Sequence, residues 1–402
     1  MLLKSHQSRA LIGALSLASV VVYINLYIMQ GMLPLIAQQF HVSPGQSTLL
    51  LSATVFSLAL ALLLVAALSD RYGRYQLIVA SLVLLSLSNP LLVYAGNFEQ
   101  LMGLRLLQGA ILAVIPACAM AYFRDELSSQ WLLTAGAFYI GANSVGGIVG
   151  RLLGGLVAQY LSWQQAMWAL TLLTLLATLA VLLLLPKPVA GLQQTESGKL
   201  RQVLNGFASH LKDPGLRLAY VMGGLAFMVM VNQFSFIQLH LMQAPYQLGR
   251  FEATLIFLCY LSGTWVSFKS ARVIARKGIY RLWYIASLAM LGGSLLTLMD
   301  SLPFIVAGFL ITAWGFFLTH ACCNTYVAQR ARHHRAKATA LYLCSYYLGA
   351  ALGGPYLMPF WQHAGWPGVV LGSVVIIALL MLWLWQAKRG GLMQGDLLPG
   401  NQ

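Results

Sequence analysis

Residues 46–96 read QSTLLLSATVFSLALALLLVAALSDRYGRYQLIVASLVLLSLSNPLLVYAG. Two apolar runs, near 46–68 and 76–96, flank the charged turn Ser69-Asp70-Arg71-Tyr72-Gly73-Arg74. Each run is about twenty residues long, which as a helix crosses a hydrocarbon layer of ~30 Å. The stretch is therefore a membrane hairpin, and the same pattern continues on both sides of it. Spans are expected near 10–37, 46–68, 76–96, 101–122, 131–158, 164–185, 215–240, 252–271, 282–299, 303–328, 338–362 and 367–387. The expected fold class is an all-α integral membrane protein, twelve transmembrane helices in two six-helix halves that repeat one another.

Composition agrees with this. Of 402 residues, 59% are hydrophobic and 8% charged, against about 25% charged in soluble globular chains. Such a chain cannot dress a water-facing surface, which excludes soluble enzymes and most nucleic-acid binders. Cys118, Cys259, Cys322, Cys323 and Cys344 all fall in apolar runs without the paired spacing of a zinc or redox site, and read as small core residues. The first span lacks a small-residue cleavage site and is too long for a signal-peptide core. The longest polar stretch, 186–214, holds Glu196, Lys199, Arg201 and Asp213. The expected division is an N-terminal half over 1–185, a cytoplasmic linker over 186–214 and a C-terminal half with a short tail over 215–402.

The 24 Lys and Arg outnumber the 9 Asp and Glu. Twenty-one of the cations sit in alternate loops beginning with the N-terminus, whereas the opposite loops hold Arg250 alone. The positive-inside rule then places both termini and the central loop in the cytoplasm. Because the excess is spread over seven loops, it reports topology and gives no nucleic-acid patch. Two correspondences suggest duplication. Gly73 and Gly278 lie in basic turns 205 residues apart, and Ser162-Trp163 recurs as Gly365-Trp366 at an offset of 203. Repeated halves of this kind put a binding site between them near the midplane, reached by alternating access.

The turn Ala66-Ala67-Leu68-Ser69-Asp70-Arg71-Tyr72-Gly73-Arg74 resembles the signature of the major facilitator superfamily between spans 2 and 3, with Ala66 replacing its first glycine. The resemblance implies that Asp70, Arg71, Gly73 and Arg74 act as a gating latch; Ala275-Arg276-Lys277-Gly278 in the second half lacks the acid. Arg105-Leu106-Leu107-Gln108-Gly109 is similar to the family's Arg-x-x-Gln-Gly element. Gly141, Gly146, Gly147, Gly150, Gly154 and Gly155 resemble the glycine-rich span 5 of twelve-span drug/proton antiporters, with Gly150-Arg151 in place of a Gly-Pro step as in the YnfM-type subgroup.

The resemblance further implies that spans 1, 4, 7 and 10 border a central cavity, with 2, 5, 8 and 11 beside them and 3, 6, 9 and 12 facing lipid. Polar residues are distributed accordingly: Tyr23, Asn25 and Tyr27 in span 1, Asn143 in span 5, Asn232 and Gln233 in span 7, Tyr260 and Trp265 in span 8, Trp314 and His320 in span 10, Tyr346 in span 11. For a single Tyr or Trp, helix packing competes with substrate binding. All nine acids fall outside the apolar interior, so no buried carboxylate is expected. Arg105 and Arg151 lie inside, on neighbouring spans and at similar expected depth. Intramembrane cations are costly and need a reason. Without a carboxylate partner the pair would suit an anionic group. Alternatively they lock helices through backbone carbonyls and the Asn25 and Gln108 amides. Helix locking weighs more for Arg105, and substrate binding or gating more for Arg151. His320 is the remaining mid-membrane group able to titrate near neutral pH.

The expected function is secondary transport of a small organic solute across the bacterial inner membrane by alternating access, in the efflux direction of an antiporter; with no buried carboxylate, coupling to protons through His320, proton carriage by the substrate and facilitated diffusion all stay open. The alternative is a carrier for an organic anion, a polycarboxylate or carboxylate siderophore, using Arg105 and Arg151. No nucleophile, metal cluster or paired carboxylates face the interior, so neither enzyme activity nor a cofactor is expected. The partners are a small-molecule substrate and the lipid bilayer, and the protein is expected to be a monomer.

Overall fold

The computed structural model describes residues 4–188, 200–333 and 335–391; the side chains of residues 66, 67, 70, 200–205, 264, 265, 267, 268 and 271 are outside that description. Glu196, Lys199 and Asp396 therefore lie outside the described residues, as do the side chains of Ala66, Asp70, Arg201 and Trp265.

The chain is helical throughout its described length apart from short turns. The spans are α1 (Ser5–Gly31), α2 (Leu49–Tyr72), α3 (Arg74–Val93), α4 (Phe98–Leu112 continuing as Val114–Glu126), α5 (Ser129–Tyr160), α6 (Trp163–Leu184), α7 (Pro214–Leu241), α8 (Tyr260–Lys277), α9 (Ile279–Leu296) and α10 (Leu302–Arg330). The last helix, Arg335–Arg389, has 55 residues and leaves helical geometry at Ala364 and Gly365. That break makes two spans of it, α11 (335–363) and α12 (366–389). Among the described residues, ten helices are long and apolar enough to cross a membrane. Dividing the longest and adding the more polar α8 gives the twelve expected.

The eighth span departs from the single apolar run expected over 252–271. It is a short helix, Arg250–Thr254, then a 3₁₀ stretch, Leu255–Cys259, then α8. Its first turn is bonded to the end of α5.

Two compact units result. The described residues up to Leu200 together with Gly249–Leu255 form the first, and Arg201–Leu248 with the described residues from Ile256 onward form the second. In the second unit the linker helix Leu200–Lys212 meets Lys337, whose ammonium stands 5.8 Å from the Phe207 ring centroid. Asp213 caps α7 by accepting from the Gly215 and Leu216 N–H groups, and it also accepts from Arg330 Nε at 2.8 Å. Burial alone would raise its carboxyl, but the bonds from Leu216, Arg330 and Gly215 bring it below its ordinary value.

Each unit has the same internal plan. Gly73 (φ 83°, ψ 138°) separates α2 from α3 and Gly278 (φ 75°, ψ 149°) separates α8 from α9, a region that favours glycine. Trp163 opens α6 and donates from Nε1 to the Leu92 carbonyl at 3.2 Å. Trp366 opens α12 and donates to the Thr297 carbonyl at 3.1 Å. The donors are 203 residues apart and the acceptors 205.

The tightest packing repeats too. A methyl carbon at Gly146 would stand 2.6 Å from the Val20 carbonyl oxygen, and one at Gly150 2.9 Å from Ile24 Cα, so α1 and α5 meet backbone to backbone. In the second unit Gly349 abuts Gly224, and a methyl at Gly353 would stand 2.6 Å from the Met228 carbonyl oxygen, so α7 and α11 meet in the same way. In lipid, where apolar side chains gain little by leaving one apolar surface for another, such close approach is a main source of helix association. Gly150→Leu is expected to lower the unfolding midpoint of the purified protein, at an overpacking cost of about 3 kcal/mol. Gly141, with open space around it, supplies the control: Gly141→Ala should leave the midpoint unchanged.

Candidate functional site

In the first unit the membrane-embedded polar side chains form two groups. One joins five helices. Arg105 of α4 donates from Nε to Thr54 Oγ1 (3.1 Å), from Nη1 to Gln108 Oε1 (2.7 Å) and from Nη2 to the Asn25 and Leu26 carbonyls (3.1 and 3.2 Å). Gln108 Nε2 donates to Asn89 Oδ1 (2.8 Å) and Ser88 Oγ (3.1 Å). Asn89 Nδ2 donates to Asn25 Oδ1 and Thr174 Oγ1, both at 2.9 Å. Asn25 Nδ2 donates to Thr174 Oγ1 at 2.9 Å. Arg105, Gln108, Asn25 and Asn89 are each 0% exposed, so α1, α2, α3, α4 and α6 are tied by groups that have no water to turn to.

The second group lies between α1 and α5. Arg151 donates from Nε to Gln30 Oε1 (2.7 Å) and from Nη1 to the Gly147 carbonyl (2.8 Å), and its guanidinium carbon stands 3.7 Å from the Tyr27 ring centroid. The glycine at 147 leaves room for this contact, since a methyl there would stand 3.2 Å from Arg151 Nη1. Tyr23, half-buried, packs against Tyr27 with ring centroids 6.1 Å apart, and Ser19 Oγ donates to Asn143 Oδ1. Arg105 and Arg151 share no hydrogen-bond partner among these contacts.

The second unit holds an aromatic cluster with polar edges. The Phe227 ring of α7 stacks on Tyr346 of α11 (3.9 Å, 13°) and on Phe316 of α10 (5.4 Å, 23°). His320 lies 4.8 Å from Tyr346. Its Nδ1 is 2.8 Å from Tyr342 Oη and its Nε2 is 2.9 Å from Asn324 Nδ2. Phe227, Phe316 and Tyr342 are buried, whereas His320, Asn324 and Tyr346 are half-buried. The cluster thus has a closed back and a partly open front. Other polar residues of this unit serve its frame. Asn232 donates to the Met228 and Ala350 carbonyls (2.9 and 3.0 Å), and Gln233 donates to Ser294 Oγ (2.9 Å). Tyr260 packs 4.5 Å from Phe234, and Trp314 is half-buried.

At the basic end of the first unit, Arg74 pairs with Asp125, an acid that the signature turn gives no reason to expect. Arg71 is exposed and lies 5.4 Å from the Tyr72 ring centroid. One expectation is corrected: no buried carboxylate is expected among the nine acids, yet Glu126, placed beyond the apolar run of span 4, is 2% exposed at the end of α4. An apolar run ends where the charges begin, so sequence reading puts the terminal turn in water although the helix continues inside. Phe227 and Phe316 were also missed, because a phenylalanine in an apolar span carries no polar signal.

Twelve spans in two repeated units, with polar and aromatic groups held inside, define a polytopic membrane transporter. The chain belongs to the Major Facilitator Superfamily, whose family model matches residues 15–354. It is 32% identical over 370 residues to the inner membrane transport protein YnfM of Escherichia coli (strain K12), covering 92% of this chain and 88% of that protein. It is 31% identical over 360 residues to the MFS-type transporter YybF of Bacillus subtilis (strain 168), covering 89% and 88%. Among solved structures it resembles the nucleoside transporter NupG, with a TM-score of 0.75 and 15% identity over 94% of this chain and 99% of that one. It is accordingly a membrane-embedded secondary transporter of the alternating-access type.

The network makes a direct prediction. Arg105→Met strips four oxygens of their donor and is expected to destabilise the protein by about 3 kcal/mol, against about 1 kcal/mol for Trp163→Phe, which loses one hydrogen bond. Both are read as falls in the unfolding midpoint of the purified protein.

Proposed function

We propose that the protein exports a small amphipathic organic solute with an aromatic or planar apolar part across the bacterial inner membrane, its termini in the cytoplasm. The observation that carries this reading is the half-open cluster of Phe227, Phe316, Tyr346, His320 and Asn324. It offers a flat apolar surface with a few polar edges, the composition of small-molecule sites. The outward direction follows the resemblance to drug/proton antiporters in the glycines of α5. Protons are the coupling ion of this reading, carried at His320. Asn25, Gln108 and Arg105 are assigned to the frame of the first unit, and Asn232 and Gln233 to that of the second.

A second reading has one observation in its favour. Arg151 is an ionised group 2% exposed, held by Gln30, the Gly147 carbonyl and the Tyr27 ring, and it suits a carboxylate solute.

Proteoliposome flux separates the two. With chloramphenicol as a neutral aromatic probe and citrate as a polycarboxylate, the first reading expects chloramphenicol flux that Tyr346→Ala slows about tenfold. An imposed pH gradient should accelerate it, and His320→Gln should remove the acceleration. Citrate flux lost in Arg151→Gln would transfer the function to the second reading, and absence of flux with both probes would contradict both.

A further inference from the structure

The repeated plan breaks at one corner of the second unit. Gly278 corresponds to Gly73 at an offset of 205 residues, and Trp366 to Trp163 at 203. Carried along α9 and α12, these offsets set Lys277 against Tyr72, Arg281 against Gln76, Lys388 against Leu185 and Arg389 against Pro186. The second unit therefore carries four cations at positions where the first carries none. Topology does not require them, since Arg71 and its counterpart Arg276 already mark this end of both units as the basic one.

The four lie at the same end of neighbouring helices. Lys277 closes α8, Arg281 is in the first turn of α9, and Lys388 and Arg389 close α12. Lys388 Nζ is 5.6 Å from the Tyr280 ring centroid, which sets the end of α12 beside the start of α9. The Arg389 guanidinium carbon is 3.8 Å from the Trp385 ring centroid, one turn back along its own helix. All four cations are exposed, as are Trp385 and Tyr284. Arg281 opposes the dipole of its helix, whose first turn holds no acid. Among the described residues no carboxylate is bonded to any of the four.

Beside this basic collar the two helices present apolar stripes. Leu288 and Leu295 follow Tyr284 along α9, and Leu379 and Leu382 precede Trp385 along α12, all of them exposed. Steps of three, four and seven residues keep each series on one helix face. An exposed apolar stripe on a membrane span meets acyl chains, and Trp and Tyr gather where the chains give way to headgroups. Cations one turn beyond those rings stand at the level of lipid phosphates. Stacked on a ring face, the Arg389 guanidinium keeps its N–H edge for oxygen acceptors.

We propose that the ends of α9 and α12 bind an anionic phospholipid from the leaflet at the basic end of the spans, its phosphate held by Arg281, Lys388 and Arg389 and its acyl chains lying along the stripes of Leu288 and Leu379. Charge complementarity fixes the occupant: the corner offers four cations and no acid, with apolar surface beside them that a soluble anion would leave uncovered. Basic pockets between spans are suited to anionic headgroups, and a guanidinium can take two phosphate oxygens at once. The first unit, with Gln76, Leu185 and Pro186 at the matching positions, has no such site. The proposal is independent of the solute and of the direction of transport assigned above.

The test uses the purified, delipidated protein in detergent, with bound lipid counted by native mass spectrometry. Phosphatidylglycerol and phosphatidylethanolamine with the same acyl chains are the two probes, and the site predicts tight binding of the first alone. Lys388→Gln/Arg389→Gln should weaken phosphatidylglycerol binding about thirtyfold. Trp385→Leu, which alters no charge, should also weaken it. Arg124→Gln/Lys187→Gln removes two exposed cations from the first unit and should leave binding unchanged. Equal unfolding midpoints without lipid are expected for all four proteins and show that each is intact. Equal weakening by the two double variants would show diffuse attraction to a basic surface and overturn the proposal. Equal affinity for the two lipids would overturn it, as would displacement of phosphatidylglycerol by soluble glycerol phosphate. None of these results bears on the export reading, and failure of that reading in the flux assay leaves the lipid site standing.

Discussion

Everything else in each unit depends on two helices that touch without side chains between them. In the first unit Gly146 and Gly150 of α5 lie on Val20 and Ile24 of α1, and in the second Gly349 and Gly353 of α11 lie on Gly224 and Met228 of α7. The glycines correspond at an offset of 203 residues, so the same contact was kept in both halves of a duplicated chain. Surrounded by lipid tails, helices cannot be driven together by burying leucine, and close packing must supply what the hydrophobic effect supplies in water. A rigid pair at the centre of each unit is also what a transporter needs when its halves move as bodies.

The polar residues divide according to that frame. Backbone and side-chain polar groups in hydrocarbon must find partners inside the protein, and most of the buried amides here do so by bridging helices. Arg105 reaches two carbonyls of α1, and Asn25, Asn89 and Gln108 close the circuit. A permanent charge is tolerated there because each of the three guanidinium nitrogens of Arg105 meets oxygen. Arg151 is stacked on an aromatic face, and the second unit instead groups rings around His320. The two units thus share a scaffold and differ in the chemistry of their interiors.

Much of this was legible in the sequence. Span number, span order and the duplicated glycine and tryptophan positions are written in the hydropathy and in residue identity, because the membrane demands one unbroken apolar helix per crossing. The family was legible in the turn ending at Arg74 and in the glycines of α5. Partner choice was not. Asn25 read as a cavity residue because a polar residue in a span looks the same whether it faces a solute or another helix, whereas for Arg105 helix locking already carried more weight. Asp125 could not be paired with Arg74, nor Arg250 with Ala158, since both contacts join residues far apart in the chain. The buried Glu126 and the ring cluster around Phe227 required coordinates as well.

The claim that each half is built on a backbone-to-backbone helix pair is most directly tested by amide hydrogen exchange of the parent protein. Amides of 146–154 in α5 and 349–357 in α11, with their partners in α1 and α7, should be the last to exchange. They should outlast those of the equally apolar α6 and α12. Faster exchange at the glycine contacts than in α6 and α12 would contradict the account.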